Sequence, residues 1–140
     1  MMLLDTNILS EMMAPRPDAA VILWLNQQDS QDLFISSISI AEISYGLYVL
    51  PHGKRRQQLQ IRFEQFVSQA FQFRLLDFDE RAANIYGNVM GEAKLTGHPM
   101  SIADGQIAAI ALANGFAVVT RNIKDFKYSG VMLINPFEAG

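Results

Sequence analysis

Two stretches of the sequence, SIAE at residues 39–42 and SIAD at residues 101–104, place the same tripeptide before an acid. Each opens an apolar segment, in a chain where fewer than a fifth of the residues are charged. A serine followed three residues later by an acid is typical of a capping box at a helix start. The alternative is that two helices direct Glu42 and Asp104 at one shared point for chemistry. The sequence leaves both interpretations open for each acid.

A third acid, Asp5, closes the apolar stretch Met2–Asp5, which is predicted to be a buried strand. Another predicted strand ends at Thr120 and leads into RNIKD at residues 121–125. In parallel α/β sheets, ligands collect beyond the carboxyl ends of the strands. Asp5 and the segment after Thr120 are therefore expected at the mouth of one crevice. The alternative for Asp5 alone is that it caps the helix that follows.

Carboxylates that converge at such a crevice are costly unless a cation accompanies them. Mg²⁺ prefers oxygen ligands, polarises a phosphate and activates water. The sequence therefore predicts Asp5 and Asp104 as direct metal ligands, and Glu42 as a ligand or as the group that orients the attacking water. Thr6, Thr120 and Asn122 are expected to support these ligands.

The elements that must position these residues are short apolar strands alternating with helices. This pattern predicts an α/β fold in which helices cover both faces of a parallel sheet. Besides Met2–Asp5, strands are expected at Leu33–Ile35, Arg74–Phe78, Ala117–Thr120 and Val131–Ile134. Helices are expected through Met13 and at Ala19–Gln28, Ile38–Leu50, Lys54–Phe73, Glu80–Leu95 and Ile102–Asn114, the last one ended by Gly115.

Composition excludes several classes of protein. The 140 residues fit one domain, and half of them are hydrophobic, which is typical of a globular chain. The net charge of −3 argues against a protein that coats nucleic acid by bulk electrostatics. Without cysteine there are no disulfides and no thiolate catalysis. No signal peptide or membrane span is evident, so a cytoplasmic protein that does not bind membranes is expected.

Basic residues in two places are possible phosphate contacts. Lys54, Arg55 and Arg56 begin a predicted helix, where positive charge opposes the helix dipole. They are interpreted either as a phosphate-binding group or as a solvated basic helix start. Arg121 is expected beside the acidic crevice, while His52 and His98 lie in predicted turns and are interpreted as surface residues.

Four blocks of the sequence resemble the motifs of PIN-domain proteins, most closely those of the VapC and FitB type of bacterial toxin ribonuclease. They are LLDTN at 3–7, SIAEISYG at 39–46, IADGQIAAIA at 102–111 and VVTRNIKDF at 118–126. The resemblance implies a single PIN-like domain over residues 1–140. Its fold would be a three-layer α/β/α sandwich with a short-stranded, mainly parallel central sheet. It also implies a Mg²⁺- or Mn²⁺-dependent endoribonuclease.

The resemblance carries the acids of the family onto Asp5, Glu42 and Asp104, and its threonine and asparagine onto Thr6 and Asn7. Many members place an aspartate directly after Thr-Arg in the last block, where this chain has Asn122. Asparagine brings a carbonyl oxygen but no charge, and Asp125 lies three residues further on. Whether Asn122 or Asp125 serves as the fourth site residue stays open, as does a second metal site.

The partners implied by the resemblance are an RNA substrate, with transfer RNA as the family-level expectation, a second copy of the chain in a homodimer, and a small antitoxin. The antitoxin would lay a helix or tail across the toxin and block the acidic site. An alternative is a PIN-like RNA-binding or scaffold module without activity, which Asn122 keeps open. An aspartyl-nucleophile phosphatase is disfavoured, because it needs a second aspartate where Asn7 stands.

Overall fold

The computed structural model describes residues 1–138, so residues 139 and 140 of the predicted domain lie outside it. Its strands form one sheet in the order β3-β2-β1-β4-β5, and every pairing in it is parallel. The strands are β1 (Met2–Leu4), β2 (Leu33–Ser36), β3 (Leu75–Leu76), β4 (Ala117–Val119) and β5 (Leu133–Ile134). This confirms the predicted parallel α/β sheet.

The helices cross from strand to strand over both faces of the sheet. They are α1 (Thr6–Met13), α2 (Ala19–Asn26), α3 (Ser37–Tyr48), α4 (Lys54–Ala70), α5 (Glu80–Leu95), α6 (Ile102–Asn114) and α7 (Ile123–Phe126). Single 3-10 turns occupy Ser30–Asp32 and Pro136–Glu138. None of the helices in residues 1–138 combines the length and the apolar character that crossing a membrane requires.

Neighbouring residues of β1 supply two separate cores. Leu3 packs with Ile107 and Ile110 of α6 on one face of the sheet, while Leu4 packs with Ile8 of α1 and Phe63 of α4 on the other. Successive side chains of a strand point to opposite faces, so both faces of a central strand must be apolar. The three-layer α/β/α sandwich is therefore confirmed.

Some element boundaries differ from the predictions. Helix α4 ends at Ala70 rather than Phe73. The chain leaves the helical conformation at Phe71 (φ −124°, ψ 22°), and Phe73 then adopts a left-handed φ of 66° and is 93% exposed. The third strand keeps only Leu75–Leu76 of the predicted 74–78. Helix α7 was not predicted, and it inserts Phe126 into the core with no exposed surface. Four residues are too few to show helical periodicity in a sequence.

Candidate active site

Asp5 lies at the centre of the site, directly after the carboxyl end of β1. It is 4% exposed and caps α1, its Oδ1 accepting a hydrogen bond from the backbone N–H of Thr6 at 2.7 Å. Its Oδ2 accepts from Thr120 Oγ1 at 2.8 Å and from Asn7 Nδ2 at 3.1 Å. Asp5 therefore caps α1. Thr6, Asn7 and Thr120 all donate hydrogen bonds to the same carboxylate, as expected of residues that support it.

Burial dominates the electrostatics of Asp5. It raises the pKa of the carboxyl group from 3.8 to about 6, although the hydrogen bonds from Thr120 and Thr6 oppose that rise. The negative charges of Asp104 and Glu42 raise the pKa further. The structure therefore brings these acids, far apart in sequence, within electrostatic reach of one another.

Glu42 lies in the second turn of α3 and is exposed. Its Oε1 accepts a hydrogen bond of 2.6 Å from Thr6 Oγ1, which lies 2.8 Å from Ser39 Oγ. Because the one hydroxyl proton of Thr6 goes to the carboxylate, Ser39 donates to Thr6. The hydroxyls of Ser39 and Thr6 thus form a chain that ends on Glu42, linking α3 to α1.

The two SIA stretches have different roles. In the first, Ser36 caps α3 and accepts from the N–H of Ser39 at 3.1 Å. Ser39 is inside the helix, so the capping-box interpretation of SIAE is wrong. In the second, Ser101 caps α6 and accepts from the N–H of Asp104 at 3.1 Å, which confirms capping there.

Asp104 also belongs to a group of acids whose charges affect one another, together with Asp5, Glu42 and Asp125. Burial raises the pKa of its carboxyl group, and the charges of Asp125 and Glu42 add to the rise, while the Ser101 hydroxyl lowers it. Asp104 thus occupies a capping-box position and faces other carboxylates as well. A position in the capped first turn of a helix and proximity to other carboxylates are therefore not exclusive at this residue.

The segment after β4 closes the crevice. Thr120 is fully buried, and its Oγ1 accepts from the backbone N–H of Asn122 at 2.9 Å. Asn7 Oδ1 accepts from the backbone N–H of Arg121 at 3.2 Å. The Asn122 side chain is exposed and makes no capping bond to α7, whereas Asp125 is the residue whose charge acts on Asp104.

The basic residues lie at the periphery. The guanidinium of Arg121 lies 3.7 Å from the ring centroid of Phe137. Lys54, Arg55 and Arg56 begin α4 beside the end of α3, where Arg56 contacts His52 and Tyr48. Tyr48 is six residues beyond Glu42, about 9 Å along the helix.

The carboxylates do not form a ready three-acid metal cage. Within residues 1–138, no group of three or more His, Asp or Glu side chains is placed to hold one metal ion. Mg²⁺ takes one or two carboxylates and fills the rest of its shell with water and phosphate oxygens. The oxygen-only donors Asp5 and Asp104 suit such a hard cation. Burial is the main cause that raises the pKa of both carboxyl groups, and nearby negative charges add to it; a bound cation would offset both effects.

Sequence reasoning missed the role of the serines near Glu42. Ser36 and Ser39 are both fully buried, and they connect the cap of α3 to the hydroxyl chain. The available signal was the run SSIS at residues 36–39, since buried hydroxyls require hydrogen-bond partners.

A parallel α/β/α sheet that gathers carboxylates beyond its strand ends, held by hydroxyl and amide donors, defines a domain of the acidic nuclease class. Comparison with known proteins identifies the family. The family model for the PIN domain matches residues 2–128. The chain therefore belongs to the PIN-domain family, in its VapC and FitB group of toxin ribonucleases.

The relatives cover nearly the whole chain. The VapC ribonuclease Y4jK of Sinorhizobium fredii is 43% identical over 99% of both chains. Toxin FitB of Neisseria gonorrhoeae is 38% identical over 98% of this chain and 99% of its own. The crystal structure of FitAcB from Neisseria gonorrhoeae superimposes with a TM-score of 0.93 at 37% identity, covering 99% of this chain and 100% of that one.

Proposed function

We propose that this protein is an endoribonuclease, the toxin of a toxin–antitoxin pair, and that it hydrolyses RNA at the acidic site with Mg²⁺ or Mn²⁺. The observation that carries the proposal is the buried Asp5 at the end of β1, acted on by the charges of Asp104 and Glu42. The ribonuclease and toxin relatives support the reaction class. We further propose that residues 1–140 form one domain and that it works in the cytoplasm.

The proposed roles follow from the contacts. Asp5 and Asp104 would hold the ion, which when bound supplies charge to the scissile phosphate and acidifies water. Thr120 and Asn7 hold the Asp5 carboxylate in one orientation through its Oδ2. Glu42 is exposed and held by a hydrogen bond from Thr6, which supports a role in ligating the ion or in accepting a proton from the attacking water.

Residues around the three acids are also given roles in the proposal. Asp125 is favoured over Asn122 as the fourth acidic group, because it is charged and acts on Asp104. Asn122 would contribute by fixing Thr120 through its backbone N–H. Arg121, and less directly Lys54, Arg55 and Arg56, are proposed contacts for RNA phosphates.

The test is incubation of the purified protein with total RNA, with and without Mg²⁺, beside the variant Asp5→Asn. We expect a defined cleavage pattern that requires both the ion and Asp5, with transfer RNA examined first. Asp18→Asn is the matched control, because Asp18 caps α2 away from the site. Cleavage that survives Asp5→Asn would disprove the assignment.

Absence of cleavage by the wild type would instead favour the second candidate, a PIN-like RNA-binding or scaffold module without activity. The observation that favours this candidate is Asn122, which stands where many members have an acid. RNA binding without turnover would establish it.

The proposed antitoxin partner has a suitable groove. Helices α3 and α4 enclose a cavity of about 610 Å³, lined by Ile40, Leu47, Phe63 and Val67 among others. An apolar groove between two helices suits the apolar face of a helix or an extended tail. Tyr45 and Tyr48 are 71% and 65% exposed on α3. Exposed apolar surface of this kind also supports the proposed homodimer.

A further inference from the structure

An aromatic stack joins two loops at the edge of the molecule. His98 follows α5 and Tyr128 follows α7, with ring centroids 3.6 Å apart and planes inclined by 8°. Tyr128 is 50% exposed and His98 is exposed. Rings that only fill a core are covered by their neighbours, so this pair is a surface feature rather than part of a core.

The stack lies beside the acidic site. It borders a cavity of about 260 Å³ that is also lined by residues 97–100, Lys124 and Asp125. Asp125 lines the adjoining cavity as well, together with Arg121 and Asn122 at the carboxyl end of β4. Since the charge of Asp125 acts on Asp104, the two cavities flank the edge of the carboxylate cluster.

Basic residues follow the same edge. Arg121 and Lys124 line these cavities, and the Nζ of Lys127 lies 5.5 Å from the ring centroid of Tyr128. Residues 121–127 therefore contain three cationic side chains, although the net charge of the chain is −3. Cations that follow a backbone, together with aromatic faces that stack on bases, are what binding of single-stranded nucleic acid requires.

We propose that the His98–Tyr128 stack is a nucleobase platform. An unpaired base beside the scissile phosphate stacks on the pair, and Lys124 and Lys127 contact the adjoining backbone phosphates. The inference rests on the proposed ribonuclease function and assigns to it two residues that hold a base next to the cleaved bond. Every base has a π face, so the platform selects unpaired bases rather than a particular base.

The experiment uses the full chain carrying Asp5→Asn, so that RNA is bound without being cut. The probe is a short single-stranded RNA containing one 2-aminopurine, whose fluorescence is quenched by stacking. We expect binding with quenching, and in the Tyr128→Ala background a loss of quenching and at least about fivefold weaker binding. Tyr128→Phe restores the ring and should restore both signals.

Phe73→Ala is the control, because Phe73 is an aromatic residue that is 93% exposed at a different place in the fold. His98→Ala is the second variant, and circular dichroism checks the folding of each. Binding and quenching unchanged in both Tyr128→Ala and His98→Ala, while the wild type cleaves RNA, would overturn the platform alone. A wild type that neither binds nor cleaves RNA would overturn the proposed function and the platform with it.

Discussion

Two opposing effects act on the charged form of the Asp5 side chain. As an α1 cap with three hydrogen-bond donors on its oxygens, it is held firmly as a carboxylate. As a group that is 4% exposed near two other acids, it is costly to ionise. A carboxylate whose charged form is destabilised in this way is suited to bind a ligand of opposite charge.

The first prediction concerns pH. The pKa of Asp5 is raised in the folded protein to about 6 from 3.8, so the folded state binds its proton more tightly than the unfolded chain. The free energy of unfolding of the metal-free protein should therefore fall as pH rises from about 4 to about 6, by roughly 3 kcal/mol, and then stay low. Urea denaturation at several pH values, against Asp5→Asn, measures this. Parallel curves for the two proteins would contradict it.

The second prediction concerns the hydroxyl chain. Thr6→Val keeps the shape of the side chain but removes the hydrogen bond to Glu42, leaving that exposed carboxylate free to turn. We expect RNA cleavage to fall about tenfold or more, with the fold retained, because a bond to a charged group contributes on the order of 1.5–3 kcal/mol. Thr6→Ser keeps the hydroxyl and should cleave normally. Equal activity in the two variants would refute the role.

At the scale of elements, the two SIA stretches have the same sequence but lie at different distances from the start of their helices. Helix α6 begins after Ser101, whereas α3 begins after Ser36 because another serine precedes the repeat. Glu42 thereby leaves the first turn and reaches Thr6 of α1. A shift of one helix start therefore moves the acid from the first turn of the helix to a position where it accepts a hydrogen bond from Thr6.

The third prediction separates capping from site chemistry on α6. Ser101→Ala removes the cap and should lower the free energy of unfolding by about 0.5–2 kcal/mol, with or without Mn²⁺. Asp104→Asn relieves repulsion by Asp125 and Glu42, so it should raise the Tm of metal-free protein and reduce the stabilisation by Mn²⁺. Thermal melts measure both. If Asp104→Asn melts lower than wild type under both conditions, Asp104 only stabilises the start of α6 and is not part of a metal site.

For the whole molecule, the groove between α3 and α4 is lined by other residues than Asp5, Glu42 and Asp104. This difference gives the fourth prediction. Ser44 is exposed and lines the groove, so Ser44→Trp should fill it without disturbing the core. We expect RNA cleavage to persist while the cognate antitoxin loses its inhibition.

Cleavage assays with increasing antitoxin test the groove, and Ser44→Ala is the control that leaves it open. Inhibition of Ser44→Trp at wild-type antitoxin concentrations would place the partner elsewhere on the surface.

Sequence alone determined the class of fold and named the candidate acids. Short strands apolar on both faces require cover on both sides, which is why Leu3 and Leu4 could be assigned to a buried strand. The rule that ligands gather at strand ends pointed to Asp5 and to the segment after Thr120. Both inferences could be made because they depend only on the order of neighbouring residues in the chain.

Only the tertiary structure decided how the acids relate to one another. The bond from Thr6 to Glu42 joins residues 36 apart in sequence, and the bond from Thr120 to Asp5 joins residues 115 apart. The pairing of His98 with Tyr128 likewise depends on where α5 and α7 end in space. Local periodicity reports which face of an element is buried, but not which side chains meet across elements, because packing of the whole chain sets those distances.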